Sequence, residues 1–410
     1  MNAKKITRFG SFSILLITFV WLFEASAVSP AIASIAADFP GTSTLKMQLI
    51  SVIPFATSII FSVVAGFLAE RFDKKAIIII GLLMYGVTGM LPAFATSVDQ
   101  IILLRLLTGI GVGLILPLPN VMISEYYEGA PRKRMLGLAS SVSNVANAIN
   151  SVVVGLLLAF GWRYCFISFG IVLVIMVVNI FGLPKSPPMS GQPKHMEMHH
   201  DGSIKKGSKK IPAAVFVLSL LMVLQWVAYQ LNILNMASHI LGEKLGAPWM
   251  IGLIIAPCGV GPILTGAIFP EINKRLKSYT VPVALLIFAI GYVVLWQSHN
   301  LGIIALGNFI QGLGTGILTP YILYATSRSI KPEQYDVSFG VVTASIHLGI
   351  LAAPFVQVLI GVTTGITELR PLYLVVLCGI IVSMIIAFIY GSTPKSRARA
   401  RQEQIDINVA

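Results

Sequence analysis

Twelve apolar stretches, each about as long as the ~20 residues a helix needs to cross a bilayer, constrain this chain more than any other feature of it. They fall near residues 10–38, 45–69, 76–96, 99–122, 135–159 and 163–184. After a polar stretch from Lys185 to Pro212, six more follow near 213–239, 247–269, 279–297, 301–325, 337–361 and 370–391. These stretches use most of the 410 residues and leave no room for an attached soluble enzyme domain. Only 11% of residues are charged, against roughly 25% in a soluble domain. The expected fold is all-α, an integral membrane protein of twelve transmembrane helices in two six-helix bundles. Residues 1–184 form the N-terminal bundle, 185–212 a linker, 213–391 the C-terminal bundle and 392–410 a tail.

The formal charge of +13 is distributed by side. With a cytoplasmic N-terminus, 24 of the 29 Lys and Arg residues lie in the tails and inner loops. Lys46, Arg163, Lys244 and Arg370 lie outside, and Arg105 lies within a span. That bias places both termini in the cytoplasm of a multi-pass cell-membrane protein and makes the charge an orientation signal, not a nucleic-acid site. Lys4, Lys5 and Arg8 precede an apolar run containing Ala25-Ser26-Ala27, which has the form of a cleavage site. The apolar pattern continues to Ala37, so the run reads as a first span. Cys165, Cys258 and Cys378 stand in apolar stretches without ligand spacing and are expected to be buried packing residues.

The chain also repeats itself. Residues 104–117 read LRLLTGIGVGLILP and residues 307–320 read GNFIQGLGTGILTP, so Gly109, Gly111, Gly113 and Pro117 recur as Gly312, Gly314, Gly316 and Pro320 in spans 4 and 10. GFLAERFDKK from Gly66 and GAIFPEINKR from Gly266 match in the same way. Two duplicated six-span halves are the signature of a transporter with its site between them. The glycine run lies inside an apolar span with no preceding strand, so it reads as close helix packing and not as a phosphate loop.

At these positions the chain resembles the major facilitator superfamily. The family pattern G-x-x-x-D-R-x-G-R-K between spans 2 and 3 is met in register by Gly66, Glu70, Arg71, Asp73, Lys74 and Lys75, with Glu70 replacing Asp and Asp73 replacing Gly. The resemblance implies that this loop closes the cytoplasmic side through charge and helix-end contacts. Arg105 followed by Leu-Leu-Thr-Gly109 matches the family's fourth span, and Gly161-Trp162-Arg163-Tyr164 resembles its turn before span 6. Drug:proton antiporters of the family commonly carry G-x-x-x-G-P-x-x-G-G in span 5, whereas span 5 here reads SVSNVANAINSVVVG from Ser141.

Of sixteen acidic residues only Glu24 is mid-span, and Arg105 is the only basic residue within a span. A charge at the bilayer centre costs at least ~2.5 kcal/mol, so such a residue is a functional candidate. Glu24 and Arg105 are the expected proton-coupling pair. The alternative is a static buried pair between spans 1 and 4. Counted along straight helices, Glu24 lies about 21 Å from Asp38 and Arg105 about 9 Å from Asp99, so contact requires the arginine to reach inward.

Asn144, Asn147 and Asn150 form one stripe on span 5, and Gln225, Tyr229 and Asn232 another on span 7. Asn144, Asn147, Gln225, Tyr229 and Asn232 are candidate substrate contacts, with interhelical hydrogen bonding as the alternative. Gln311 and Tyr321 of span 10, His347 of span 11 and Trp21 of span 1 complete that set. An aromatic face beside one carboxylate suits a lipophilic cation. The linker holds Met196, Met198, His195, His199 and His200 beside Lys205, Lys206, Lys209 and Lys210, and it reads as a flexible connection whose lysines face anionic lipid.

The expected activity is alternating-access transport of a small organic molecule by a monomer, driven by the proton gradient without cofactor or metal. Proton-coupled export is the primary reading and proton-coupled uptake of a polar nutrient the alternative. A non-transporting membrane sensor is a further alternative, although no output domain is visible. No constellation of nucleophile, base and oxyanion donor marks an enzyme.

Overall fold

The computed structural model describes residues 6–20, 23–127, 129–185, 211–330, 334–366 and 368–392. Among them the structure is helical and carries no strand. Eleven helices are long and apolar enough to cross a membrane. They are span 2 (Thr44–Arg71), span 3 (Lys74–Phe94), span 4 (Val98–Tyr126), span 5 (Arg134–Leu158), span 6 (Trp162–Gly182), span 7 (Ala213–Gly242), span 8 (Met250–Ala267), span 9 (Phe269–Gln297), span 10 (Leu301–Ser329), span 11 (Ser338–Thr364) and span 12 (Leu369–Ile389). The first apolar run is in pieces: helices Arg8–Phe19, Phe23–Ala27 and Ile32–Asp38, with a 3-10 turn at Ser29–Ala31. Pro30 lacks a backbone N–H and sits in that turn, where an uninterrupted α-helix would need the donor.

Polar residues start several helices. Ser43, Asp73, Ser97 and Asn300 each accept a hydrogen bond from a backbone N–H in the first turn of spans 2, 3, 4 and 10, satisfying a donor that the helix itself leaves open. Between these caps the helices show many exposed large apolar side chains, such as Phe67, Phe181 and Val362, as an apolar solvent allows.

The duplicated glycines have duplicated contacts. A Cβ on Gly109 would lie 2.0 Å from the Pro54 carbonyl oxygen of span 2, and one on Gly111 would lie 2.5 Å from the Tyr85 nitrogen of span 3. In the other half a Cβ on Gly312 would lie 2.6 Å from the Cys258 carbonyl of span 8, and one on Gly314 would lie 2.9 Å from the Ala284 carbonyl of span 9. Spans 4 and 10 thus approach their neighbours backbone to backbone, which only residues without side chains permit.

The two bundles meet mainly through spans 2 and 11 and spans 5 and 8. The closest approach is on the side opposite the termini, where a Cβ on Gly252 would lie 2.0 Å from the Ser151 carbonyl and one on Gly155 would lie 2.7 Å from the Trp249 carbonyl. Gln48 of span 2 donates a 3.0 Å hydrogen bond to Gln357 of span 11, and Gln357 exchanges hydrogen bonds with Asn235 of span 7 at 2.8 and 3.2 Å. At the other ends of the same four spans, Gly66, Gly137, Gly266 and Gly340 have no atom within 4 Å of where a Cβ would lie. Among the described residues the tight contacts between the halves thus lie opposite the termini and seal that side. Cys165 and Cys258 are buried as expected, but Cys378 is exposed on span 12, where an apolar surround requires no burial within the protein.

Candidate functional site

Glu24 and Arg105 form an ion pair, both side chains at most 1% exposed. Arg105 Nη2 donates to Glu24 Oε1, Arg105 Nε donates to the Ile50 carbonyl at 2.9 Å, and the guanidinium stands 5.5 Å from the Phe169 ring centre. The Tyr85 hydroxyl donates to the Val20 carbonyl at 3.4 Å beside the Glu24 carboxylate. Phe169 packs edge-on against both Phe23 and Tyr85. The pair therefore has an aromatic and backbone cage drawn from spans 1, 2, 3, 4 and 6. Glu24 Oε2 and Arg105 Nη1 have no hydrogen-bond partner. The depth argument from straight helices does not apply, because span 1 is segmented and the arginine reaches toward it.

The C-terminal bundle contains a neutral copy of this cage. Asn232 stands where Glu24 does and donates to Asn308 Oδ1 at 2.8 Å and to Gln311 Oε1 at 2.7 Å. Asn308 replaces Arg105 and donates to the Ile254 carbonyl at 2.7 Å, as Arg105 does to Ile50. Tyr292 replaces Tyr85 and donates to the Ala228 carbonyl. Tyr373 replaces Phe169, packs edge-on against Tyr292 and donates to Asn232 Oδ1 at 3.3 Å. Tyr85 and Tyr292 recur at an offset of 207, close to the 203 that relates Arg105 to Asn308, a signal that was available in the sequence and that pattern reading missed.

The expected substrate contacts separate into groups. Asn232 and Gln311 lie inside the C-terminal bundle, each 0% exposed, within the neutral cage. Gln225 Nε2 donates to Thr319 Oγ1 of span 10 at 3.1 Å, and Tyr229 packs on Trp226 with ring centres 5.2 Å apart. Asn150 donates to the Phe23 carbonyl at 3.1 Å and ties span 5 to span 1. Asn147 and His347 face the seam between the halves. Asn147 Nδ2 is 3.4 Å from where a Gly259 Cβ would lie, and His347 stacks on Phe55 of span 2 with ring centres 5.4 Å apart. Tyr321 is partly buried on span 10. Trp21 and the Asn144 side chain lie outside the described residues, as does the linker with its methionines and histidines. Gln48 and Gln357, amides within apolar runs, were readable as candidates and were missed.

The loop between spans 2 and 3 works within its own bundle. Asp73 caps span 3 by accepting from the Lys75 N–H at 2.9 Å, Lys74 pairs with Glu125 in the last turn of span 4 at 2.8 Å, and Lys75 Nζ donates to the Leu183 carbonyl closing span 6 at 2.8 Å. Glu70 and Arg71 are exposed and Gly66 is unopposed.

Duplicated cages and glycine contacts on two six-helix bundles are accompanied by a direct match. The Major Facilitator Superfamily model matches residues 14–284 and 218–408. The chain belongs to the major facilitator superfamily. Its members are membrane transporters, not enzymes. It is similar to a 4-hydroxybenzoate transporter, PcaK, of Acinetobacter baylyi, 29% identical over 42% of this chain and 38% of that protein. It is also similar to a multidrug efflux pump, SdrM, of Staphylococcus aureus, 25% identical over 42% of this chain and 39% of that one. The chain thus spans about two fifths of the length of the curated relatives it matches. The crystal structure of a nucleoside transporter, NupG, superposes with a TM-score of 0.74 over 93% of this chain and 100% of that one at 12% identity, a likeness of fold.

Proposed function

We propose that this superfamily member is a proton-coupled exporter of a small organic molecule, acting as a monomer in the cell membrane with both termini cytoplasmic. The observation that carries the reading is the Glu24–Arg105 pair, a buried ion pair enclosed in one bundle and left with one unpartnered atom on each side chain. A proton taken up by Glu24 removes its charge and leaves Arg105 buried without a counter-ion. Breaking a buried pair in this way costs about 3–5 kcal/mol. That approaches the ~5.5 kcal/mol needed to turn a two-state equilibrium from 1:99 to 99:1, so one proton is of the right size to drive the halves between conformations. Asn147, His347 and Tyr321 are the proposed substrate contacts.

Export is favoured by the likeness to a protein named as a multidrug efflux pump. Uptake of a polar metabolite is the second reading. It is favoured by the amides Asn147, Gln48 and Gln357 at the seam and by the likeness to a 4-hydroxybenzoate transporter. The deciding experiment uses everted vesicles with an inward-acid gradient and a panel of lipophilic cations and small aromatic acids. Wild type should accumulate a compound and Glu24→Gln should not, while counterflow exchange persists in the variant. Uphill accumulation by Glu24→Gln would remove Glu24 from coupling, and movement confined to right-side-out vesicles would reverse the direction.

A further inference from the structure

We propose that His239, buried in the last turn of span 7, is a second proton-binding site, loaded from the face opposite the termini. The polarity of the hydrogen bonds around its ring carries the assignment. Asn308 Nδ2 donates to the Ile254 carbonyl at 2.7 Å, and a carbonyl only accepts, so the orientation of that amide is fixed. Asn308 Oδ1 therefore faces Asn232 Nδ2, which turns Asn232 Oδ1 toward span 12, where the Tyr373 hydroxyl donates to it at 3.3 Å. The phenol has one hydrogen, so toward His239 Nδ1, 3.5 Å away, its oxygen offers an acceptor. On the other side of the ring Ser298 donates its one hydrogen to the Leu295 carbonyl at 2.7 Å and offers an acceptor to His239 Nε2 at 3.3 Å.

Both ring nitrogens thus face acceptors, and only the imidazolium donates from both. A neutral ring would aim one bare lone pair at an oxygen lone pair. The counter-ion is in place: Glu243 Oε1 stands 3.9 Å from Nε2. Glu243 on the same helix, Arg370 and Tyr373 of span 12 and His299 after span 9 are the charged and titratable groups that face the ring among the described residues. Arg370 binds the Glu243 carboxylate and the Ser298 carbonyl, so it holds both walls of the site together. The His239 side chain is 0% exposed and that of Glu243 28%, which makes the carboxylate the point where water meets the site. Its charge keeps a proton on Nε2, so the proton that comes and goes is the one on Nδ1. When it leaves, the Tyr373 hydroxyl turns to the bare nitrogen and Asn232 Oδ1 loses its phenol. The acidity of that face is in this way read at the neutral cage. The site lies in the other bundle from Glu24 and stands whether or not Glu24 couples transport to protons.

The test records the imidazole nitrogen NMR signals of the full chain in lipid nanodiscs, isotope-labelled at its six histidines, from about pH 8 to about pH 5, where histidine titrates. The His239 signal is the one lost in His239→Gln or, should that variant not fold, the one that moves in Tyr373→Phe. On acidification it should pass from one protonated nitrogen to two, with the change at Nδ1. Glu243→Gln should lower its midpoint by about one pH unit, a tenfold loss of proton affinity, and Glu24→Gln should leave it in place. A ring that keeps one neutral tautomer throughout the titration overturns the proposal, as does a midpoint that Glu243→Gln does not move.

Discussion

Asn232 donates a 2.8 Å hydrogen bond to Asn308 at the position where, in the other half of the chain, Glu24 is paired with Arg105. The duplicated frame has been kept down to the carbonyls it engages, Ile50 in one half and Ile254 in the other. What differs is charge. The amide pair asks for no desolvated ion, whereas the ion pair is sensitive to any proton that reaches it. One bundle thus encloses an ion pair, and the other holds the same packing without charge.

Arg105→Gln should destabilise the protein by about 3 kcal/mol, because Glu24 is left buried without its counter-ion. Glu24→Gln combined with Arg105→Gln should recover most of that loss by making the first cage resemble the second, a strongly non-additive result. Proton-driven accumulation should stay absent. Thermal unfolding of the single and double variants, run beside vesicle transport, checks both parts.

Gly252→Ala places a methyl group where the Ser151 carbonyl lies 2.0 Å away, and Gly66→Ala places one where nothing lies within 4 Å. The first should force the sealed side apart, and spin labels at the exposed Thr44 and Thr364 should move to a longer distance. The second should leave that distance unchanged in the conformation described. Equal distances in both variants would show that the glycine contact does not hold the seal.

Gln357→Leu removes the hydrogen bond from Gln48 across the halves and both bonds to Asn235. Hydrogen bonds of this kind contribute about 0.5–1.5 kcal/mol each, so the population open opposite the termini should rise several-fold or more. The same pair of labels reports it as a growing long-distance fraction.

Glu243 and Arg370 link the end of span 7 to the start of span 12 through hydrogen bonds of 2.9 and 2.6 Å. Burial alone raises the Glu243 carboxyl, but the Arg370 hydrogen bonds and the charges of His239 and Arg370 outweigh it and hold it below the ordinary 4.5. A carboxyl depressed on folding contributes stability above its unfolded value, and that contribution is lost as pH falls through the folded one. Wild type should therefore exceed Glu243→Gln in Tm by a constant amount near neutral pH, and the two should converge below about pH 4.5. A gap that persists in acid would sink the assignment.

Membrane architecture was readable because apolar length and the glycine repeat are set by the bilayer and by backbone contact, both local to the sequence. Glu24 and Arg105 stood out for a similar reason, as each is the lone residue of its sign within the apolar runs away from their ends. Asn232 and Gln311 were harder. A polar stripe looks the same whether it lines a cavity or binds a neighbouring helix, and only tertiary placement puts these two inside the bundle. Counting depth along a straight span 1 fails because the 3-10 turn at Ser29–Ala31, with Pro30 in it, interrupts an apolar run whose composition is uniform. Gln48 and Gln357 acquire meaning only when paired, 309 positions apart.

Gly155 and Gly252 bring bare backbone to bear on backbone close to one face of the membrane, so any rocking of the halves about this contact has an off-centre fulcrum. Gly155 stands three residues from the end of span 5, about 5 Å along its axis, with roughly 30 Å of helix on the other side. Each ångström of travel at the near face becomes about six at the far one. A bulky fulcrum would shift with every rotamer, whereas two glycines fix its position by peptide geometry alone.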